Sequence, residues 1–141
     1  MKYVVLNNQH KQILYMHSSM YYPNESCALL LGSNKSNYTV DYVYLTNNHS
    51  PSTTTFSISS NELINCYLFA NSKKLEMIGI FHSHPRSISY PSQIDKKFMK
   101  LNPVCWIIFS HVQNNFQAFL LDSDTIVEIP IYDNKHKNKS I

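Results

Sequence analysis

The pattern of hydrophobic and polar positions predicts strands alternating with helices along most of the chain. Strands are predicted at 1–6, 27–32, 38–47, 75–84, 104–112, 115–121 and 125–132. Helices are predicted at 8–22, 59–73 and 92–101. The short polar breaks before the last two strands favour antiparallel hairpins. The pattern therefore predicts an α+β fold, a mixed sheet with helices packed on it.

Each predicted helix carries apolar residues at helical spacing, which indicates a buried face. In the first helix they are Ile13, Leu14, Met16, Met20 and Tyr21. In the second they are Leu63, Cys66, Tyr67 and Ala70, and in the third Ile94, Phe98 and Leu101. The patterns S-x-x-E at Ser59 and S-x-x-D at Ser92 predict capping boxes where the second and third helices begin.

Composition limits the class of protein. The chain has 141 residues, 43% of them hydrophobic, which fits one globular domain, expected at 1–133 with a flexible tail at 134–141. No apolar run approaches the roughly 18 residues of a membrane span and no signal peptide is visible, so we expect a cytoplasmic protein. The net charge of +3 owes much to KHKNK at 135–139, which we interpret as a solvated terminus and not as a nucleic-acid arm. Cys27, Cys66 and Cys105 form no CxxC pair and are expected to be buried free thiols.

The stretch from His82 to Asp95, HSHPRSISYPSQID, concentrates residue types that bind metals. Residues i and i+2 of a strand point to the same face, so His82 and His84 at a strand's end direct both imidazoles to one spot. Asp95, carried back by a tight loop, adds an oxygen. Two nitrogens and one carboxylate form a three-ligand zinc site that leaves a fourth position for water, as in catalytic sites. The ordinary alternatives are a surface or core histidine pair and a helix cap at Ser92 and Asp95.

These residues resemble the H-x-H-x7-S-x2-D signature of the JAMM (MPN-plus) zinc metallopeptidases. His82, His84, Ser92 and Asp95 stand at the motif positions. The upstream segment YPNESCALLLG resembles the segment around the family's catalytic glutamate, which falls on Glu25. The resemblance covers residues 2–132 and is greatest to compact prokaryotic members. Asn47 and Phe56 stand where those members carry similar residues. It implies the MPN fold, an α/β/α sandwich with a largely antiparallel sheet.

The resemblance also implies a chemistry for each of these residues. One Zn²⁺ per chain would be held by His82, His84 and Asp95, together with a catalytic water. Glu25 would transfer that water's proton, and Ser92 would donate a hydrogen bond to the oxyanion. The implied reaction is that of an isopeptidase, hydrolysis of the amide bond after the extended C-terminal tail of a ubiquitin-like or sulfur-carrier protein. No nucleic-acid or membrane partner is expected.

Two alternatives stay open beside this function. A peptidase that releases an amino acid or an extension from a sulfur-carrier protein would use the same site, so only its substrates would separate it. A non-catalytic MPN scaffold would only bind partners, but such members typically lack one of the four Glu, His, His and Asp positions, all present here. Ala28 stands where many members have glycine, and 95–106 is too short for the insertion with which large eukaryotic members bind ubiquitin.

Overall fold

The computed structural model describes residues 2–134, which form one eight-stranded sheet and three α-helices. The strands are β1 (Val4–Val5), β2 (Cys27–Asn34), β3 (Tyr38–Thr46), β4 (Glu76–His84), β5 (Cys105–Ser110), β6 (Asn115–Asp122), β7 (Thr125–Ile129) and β8 (Ile131–Tyr132). The helices are α1 (Asn8–Tyr21), α2 (Ser60–Ser72) and α3 (Gln93–Leu101). The single domain at 1–133 and the tail at 134–141 stay predictions, because residues 135–141 lie outside this range.

The strands lie in the order β7-β6-β5-β4-β2-β3-β1-β8. The pairs β2–β3, β2–β4, β5–β6 and β6–β7 are antiparallel, whereas β4–β5, β1–β3 and β1–β8 are parallel. Leu14 of α1 packs into the core on one face of the sheet, and Cys66 and Ala70 of α2 pack with Met99 of α3 on the other. This confirms the predicted α/β/α arrangement around a mixed, largely antiparallel sheet.

The last predicted strand, 125–132, is two strands separated by Pro130. β7 pairs with β6 at one end of the sheet, whereas Ile131 of β8 pairs with Val4 of β1 at the other. Pro130 lacks an N–H and cannot donate to a strand ladder, but its carbonyl oxygen accepts a 3.0 Å hydrogen bond from Val4 N. Two residues of chain span only ~7 Å, so the sheet curls until its two edges meet here. The prediction of one continuous hairpin strand was therefore wrong at Pro130.

The predicted buried face of α1 is wrong in part. Leu14 is buried as expected, but the side chains of Ile13, Met16 and Met20 are 42%, 56% and 82% exposed. His17 and Ser18 are buried instead. His17 Nε2 lies 3.0 Å from the carbonyl oxygen of Cys27, and Ser18 Oγ donates to Leu14 O at 2.8 Å. Because these polar groups find partners inside the protein, the helix can bury them without the cost of an unpaired polar atom.

The other two helices show similar corrections. In α2, Cys66 and Ala70 are buried, but Tyr67 is exposed. The Ser59 hydroxyl accepts from Glu62 N as predicted, whereas the Glu62 carboxylate accepts from Asn47 N, so this capping box forms only in part. In α3 the apolar residues expected to face inward are all at least 40% exposed: Ile94, Phe98 and Leu101. Asp95 and Met99 take the inward positions.

Two expectations from composition can be compared with the structure. Cys27, Cys66 and Cys105 are buried free thiols, as predicted. No helix within residues 2–134 combines the length and the apolar character required to cross a membrane.

Gly32 lies where the register between β2 and β3 shifts, and it permits a close approach of the two backbones. A Cβ atom at this position would lie 1.8 Å from the carbonyl oxygen of Thr39. We therefore expect Gly32→Ala to lower the free energy of unfolding by about 3 kcal/mol, because the paired strand must move. Urea unfolding of this variant beside Ser33→Ala, the neighbouring position, measures the effect. Equal midpoints for the two variants would contradict the prediction.

Candidate metal centre

His82 and His84 lie at the end of β4, which is held between β2 and β5 in the middle of the sheet. Their imidazoles share one face because they are two residues apart in a strand. Asp95, in the first turn of α3, is carried to the same place by the 85–91 loop. All three side chains are almost fully buried, with 0%, 3% and 4% exposed. The structure thus brings the three proposed ligands together.

The three side chains form a regular triangle of donor atoms. His82 Nε2 and His84 Nε2 lie 3.1 Å apart, and each lies 3.1 Å from Asp95 Oδ2. Zinc bonds to nitrogen and oxygen are about 2.0–2.1 Å long, so neighbouring ligands in a tetrahedral site are roughly 3.3 Å apart. The triangle matches one face of such a tetrahedron closely. His82, His84 and Asp95 could therefore hold a metal ion.

The tautomer of His84 is set by a backbone carbonyl. His84 Nδ1 lies 2.7 Å from the oxygen of Ile88, which can only accept a hydrogen bond. In the neutral imidazole the proton is therefore on Nδ1, and the Nε2 lone pair points into the triangle. This is the arrangement in which an imidazole binds a metal, with its other nitrogen bonded to an outer carbonyl or carboxylate.

His82 is held in a different way, by aromatic rings. Phe56 stacks on its imidazole with a centroid distance of 4.7 Å and an interplanar angle of 24°. Trp106 meets the same ring edge-on, with 5.8 Å between centroids. Within residues 2–134 the buried His82 Nδ1 has no hydrogen-bond partner. Burial lowers the pKa of His82, and Asp95 opposes that shift. The neutral form of the imidazole, which can bind a metal, is therefore favoured.

The capping box predicted at Ser92 and Asp95 is present. Ser92 is the N-cap of α3, its Oγ accepts from Asp95 N at 3.0 Å, and its own N–H donates to Asp95 Oδ2 at 2.9 Å. Burial alone would raise the pKa of Asp95, but His82, His84 and the Ser92 N–H hold it well below its usual range. The carboxylate is therefore ionised and fixed in direction, as a metal ligand must be.

Glu25 lies just before β2 and is 3% exposed. Its backbone is fixed on both sides, since Glu25 N donates to Ser52 O at 2.8 Å and Glu25 O accepts from Asn48 Nδ2 at 3.1 Å. Burial raises the pKa of Glu25 to about 8, His84 lowers it and Asp95 raises it further. Its Oε1 is buried with no hydrogen-bond partner within residues 2–134. The pKa of the Glu25 carboxyl group thus depends on His84 and Asp95, two residues of the candidate metal centre.

Asn48 organises the loop beside Glu25, and sequence patterns did not identify it. Besides its bond to Glu25 O, its Nδ2 donates to Thr55 O, and its Oδ1 accepts from Ser50 N and Ser57 N. Its amide therefore closes the 49–57 loop onto the strand that carries Glu25. Asn48 stands in a segment rich in Asn and Ser, where no spacing distinguishes it from its neighbours.

Comparisons with known proteins identify the family. Residues 7–122 match the family described as prokaryotic homologs of the JAB domain. The chain is 30% identical over 108 residues to a desampylase of Pyrococcus furiosus. The aligned segment covers 76% of this chain and 74% of that protein.

Solved structures share the fold. The solution structure of a Desulfitobacterium hafniense protein superposes with a TM-score of 0.83 at 27% identity, over 95% of this chain and 97% of that one. A JAB1/MPN domain protein of Archaeoglobus fulgidus gives a TM-score of 0.54 at 20% identity, over 92% of this chain and 98% of the other, and supports the fold alone. With a matched segment that spans most of its length, the chain belongs to the prokaryotic homologs of the JAB domain, within the JAMM/MPN family.

Proposed function

We propose that this protein is a zinc-dependent isopeptidase that hydrolyses the amide bond after the C-terminal tail of a ubiquitin-like protein. The triangle of His82, His84 and Asp95 at 3.1 Å carries the proposal. The buried Glu25 directly precedes the segment that pairs with the end of β4. The similarity to a desampylase supports a ubiquitin-like modifier as the substrate. The presence of all four polar residues argues against a scaffold that only binds partners.

Zinc is the ion we propose, because two imidazole nitrogens and one carboxylate oxygen at tetrahedral spacing are a donor set that zinc favours. When bound, zinc supplies a Lewis acid that lowers the pKa of water to about 7. The ionised Asp95 and the neutral His82 need no change of protonation before binding. Phe56 and Trp106 keep bulk water away from one side of His82.

Glu25 is the proposed proton carrier. Its raised pKa keeps a proton on the carboxyl group near neutral pH when no cation is near, and a nearby divalent cation favours the carboxylate. In that form Glu25 accepts a proton from the attacking water and later donates it to the leaving amine. Glu25 Oε1 has no hydrogen-bond partner among residues 2–134, and the backbone of Glu25 is fixed. Both features suit a group that exchanges a proton first with water and then with the amine.

Ser92 is the proposed donor to the substrate carbonyl. In the capping bond its Oγ is the acceptor, so the hydroxyl proton is not used by that bond. Ser92 is exposed to solvent, and the capping box fixes its position next to Asp95. A donor held in place at an oxyanion contributes roughly 3 kcal/mol in other enzymes.

Glu25→Gln tests the proton carrier. The amide has the shape of the carboxyl group but cannot accept a proton, so we expect unchanged zinc content and hydrolysis about 10²- to 10⁴-fold slower. Glu76→Gln, an exposed change at the other end of β4, is the control and should keep full activity. Equal rates for the two variants would remove Glu25 from the mechanism.

His84→Ala tests the metal centre. We expect wild-type protein to retain one zinc ion per chain after dialysis, and His84→Ala to retain only a small fraction of that amount, because a three-ligand site is left with two ligands. His49→Ala, which removes an exposed histidine, should match the wild type in elemental analysis. Similar zinc content in all three proteins would rule out the proposed site.

A panel of fusion substrates tests the reaction. Each fusion joins a ubiquitin-like or sulfur-carrier protein ending in Gly-Gly to a short peptide, and we expect cleavage after the second glycine, read by mass spectrometry. Fusions ending in Ala-Ala and the Glu25→Gln variant serve as controls. Cleavage of sulfur-carrier fusions alone would favour the processing peptidase, and a panel that stays intact with zinc present would contradict the isopeptidase.

A further inference from the structure

The loop between β4 and α3 reverses the usual relation between residue type and burial. Ile88 and Tyr90 are 54% and 49% exposed, whereas Ser89 between them is completely buried. A small polar residue is buried in this way only when its hydroxyl and backbone find partners. Ser89 therefore takes the inward position of the loop because of the hydrogen bonds it makes there, and not because of apolar contacts.

Three amide side chains surround the Ser89 hydroxyl. Ser89 Oγ lies 3.0 Å from Gln113 Oε1 and 2.9 Å from Asn115 Oδ1, and it also contacts Gln117 Oε1. Ser89 N donates to Gln113 Oε1 at 3.0 Å. Gln113 lies in the turn before β6, and the other two amides lie in β6 itself. The loop is thus fastened to the β5–β6 hairpin at one residue, by both its side chain and its backbone.

The orientation of the Gln117 amide is fixed from its far side. Gln117 Nε2 donates to Glu128 Oε2 of β7 at 2.7 Å. A carboxylate can only accept, so the NH₂ group faces Glu128 and the oxygen faces Ser89. Ser89 therefore donates to a carbonyl oxygen that is already held in place by the next strand.

The residues around Ser89 connect this cluster to the metal centre. Ser110 Oγ donates to Ser87 O at 2.7 Å, so the loop is anchored on both sides of Ile88. The Ile88 carbonyl, held between these anchors, accepts from His84 Nδ1 at 2.7 Å and from Tyr90 N at 2.9 Å. A displacement of the loop at Ser89 would move this carbonyl directly.

We propose that Ser89 is a positioning residue for the metal centre. Its hydroxyl donates to the oxygen of Gln117 and its N–H donates to Gln113 Oε1. Held by these two bonds, Ser89 fixes the Ile88 carbonyl, which keeps the proton of His84 on Nδ1 and leaves Nε2 free for the metal. The inference rests on the proposed function only in taking His84 Nε2 as a metal ligand.

The hydrogen bond to the Ile88 carbonyl orients His84, whereas aromatic rings orient His82. The His82 ring is held by Phe56 and Trp106, and its Nδ1 has no hydrogen-bond partner among residues 2–134. The Ile88 carbonyl holds the outer nitrogen of His84 directly. Loss of the Ser89 anchor should therefore affect His84 and leave the packing of His82 unchanged.

Ser89→Ala tests the inference with two measurements that need no substrate. Zinc affinity, measured by competition with a chromophoric chelator, should fall about 10- to 100-fold, as for other losses of outer support at a metal ligand. In ¹⁵N-labelled metal-free protein, at a pH where the ring is neutral, the His84 imidazole should change from the Nδ1–H tautomer to a mixture. Ser87→Ala, an exposed change in the same loop, should alter neither.

Two further variants separate positioning from general stability. Cys105→Ala removes a buried side chain from the core on the other end of β5 and should lower stability without changing the His84 tautomer. Gln117→Leu removes one amide partner of Ser89, should act in the same direction as Ser89→Ala but less strongly, and decides the question if Ser89→Ala does not fold.

Zinc affinity and a His84 tautomer that are the same in Ser89→Ala and Ser87→Ala would overturn the inference. A wild-type protein that binds no zinc would instead overturn the proposed function, and the tautomer comparison would still decide the role of Ser89.

Discussion

One oxygen atom of Asp95 connects the residues of the candidate metal centre and determines how α3 sits on the sheet. Asp95 Oδ2 lies 3.1 Å from both histidine nitrogens and accepts from Ser92 N at 2.9 Å. It thereby joins the end of β4 to the start of α3. A helix that must direct Asp95 inward buries Met99, one turn later, and turns Ile94 and Phe98 toward solvent. The contact between Asp95 and the two histidines therefore sets the rotation of α3 about its axis, although the apolar residues of the helix predicted a different buried face.

Features that depend on nearby residues could be predicted from the sequence. The helix limits follow from caps and from Pro23, and the two histidines follow from the spacing of residues in a strand. The rotation of α1 could not be predicted, because it depends on His17 meeting the carbonyls of Cys27 and Thr46. Likewise, the separate course of β8 depends on β1, at the other end of the chain. Patterns within a segment carry no information on such distant partners.

The same distinction applies within the site. His82, His84 and Asp95 stand in one compact motif, so their meeting could be predicted from strand and loop geometry. Glu25 could be proposed only through the family resemblance, because nothing near it in sequence distinguishes it from an ordinary turn glutamate. Asn48 and Ser89 were missed, since hydroxyl and amide residues are abundant in this chain and only their contacts distinguish them.

The strand pair β1–β8 also bears on the order in which the protein folds. Val4 pairs with Ile131, so this contact closes nearly the whole chain, whereas β2 pairs with β4, the strand that carries His82 and His84, over a much shorter separation. During synthesis the segment from Glu25 to Asp95 leaves the ribosome well before Ile131. Contacts between distant residues form late, because they require the larger loop closure. We therefore expect the two sheet edges to join at Pro130 late, after β2 has paired with β4, the strand that carries His82 and His84.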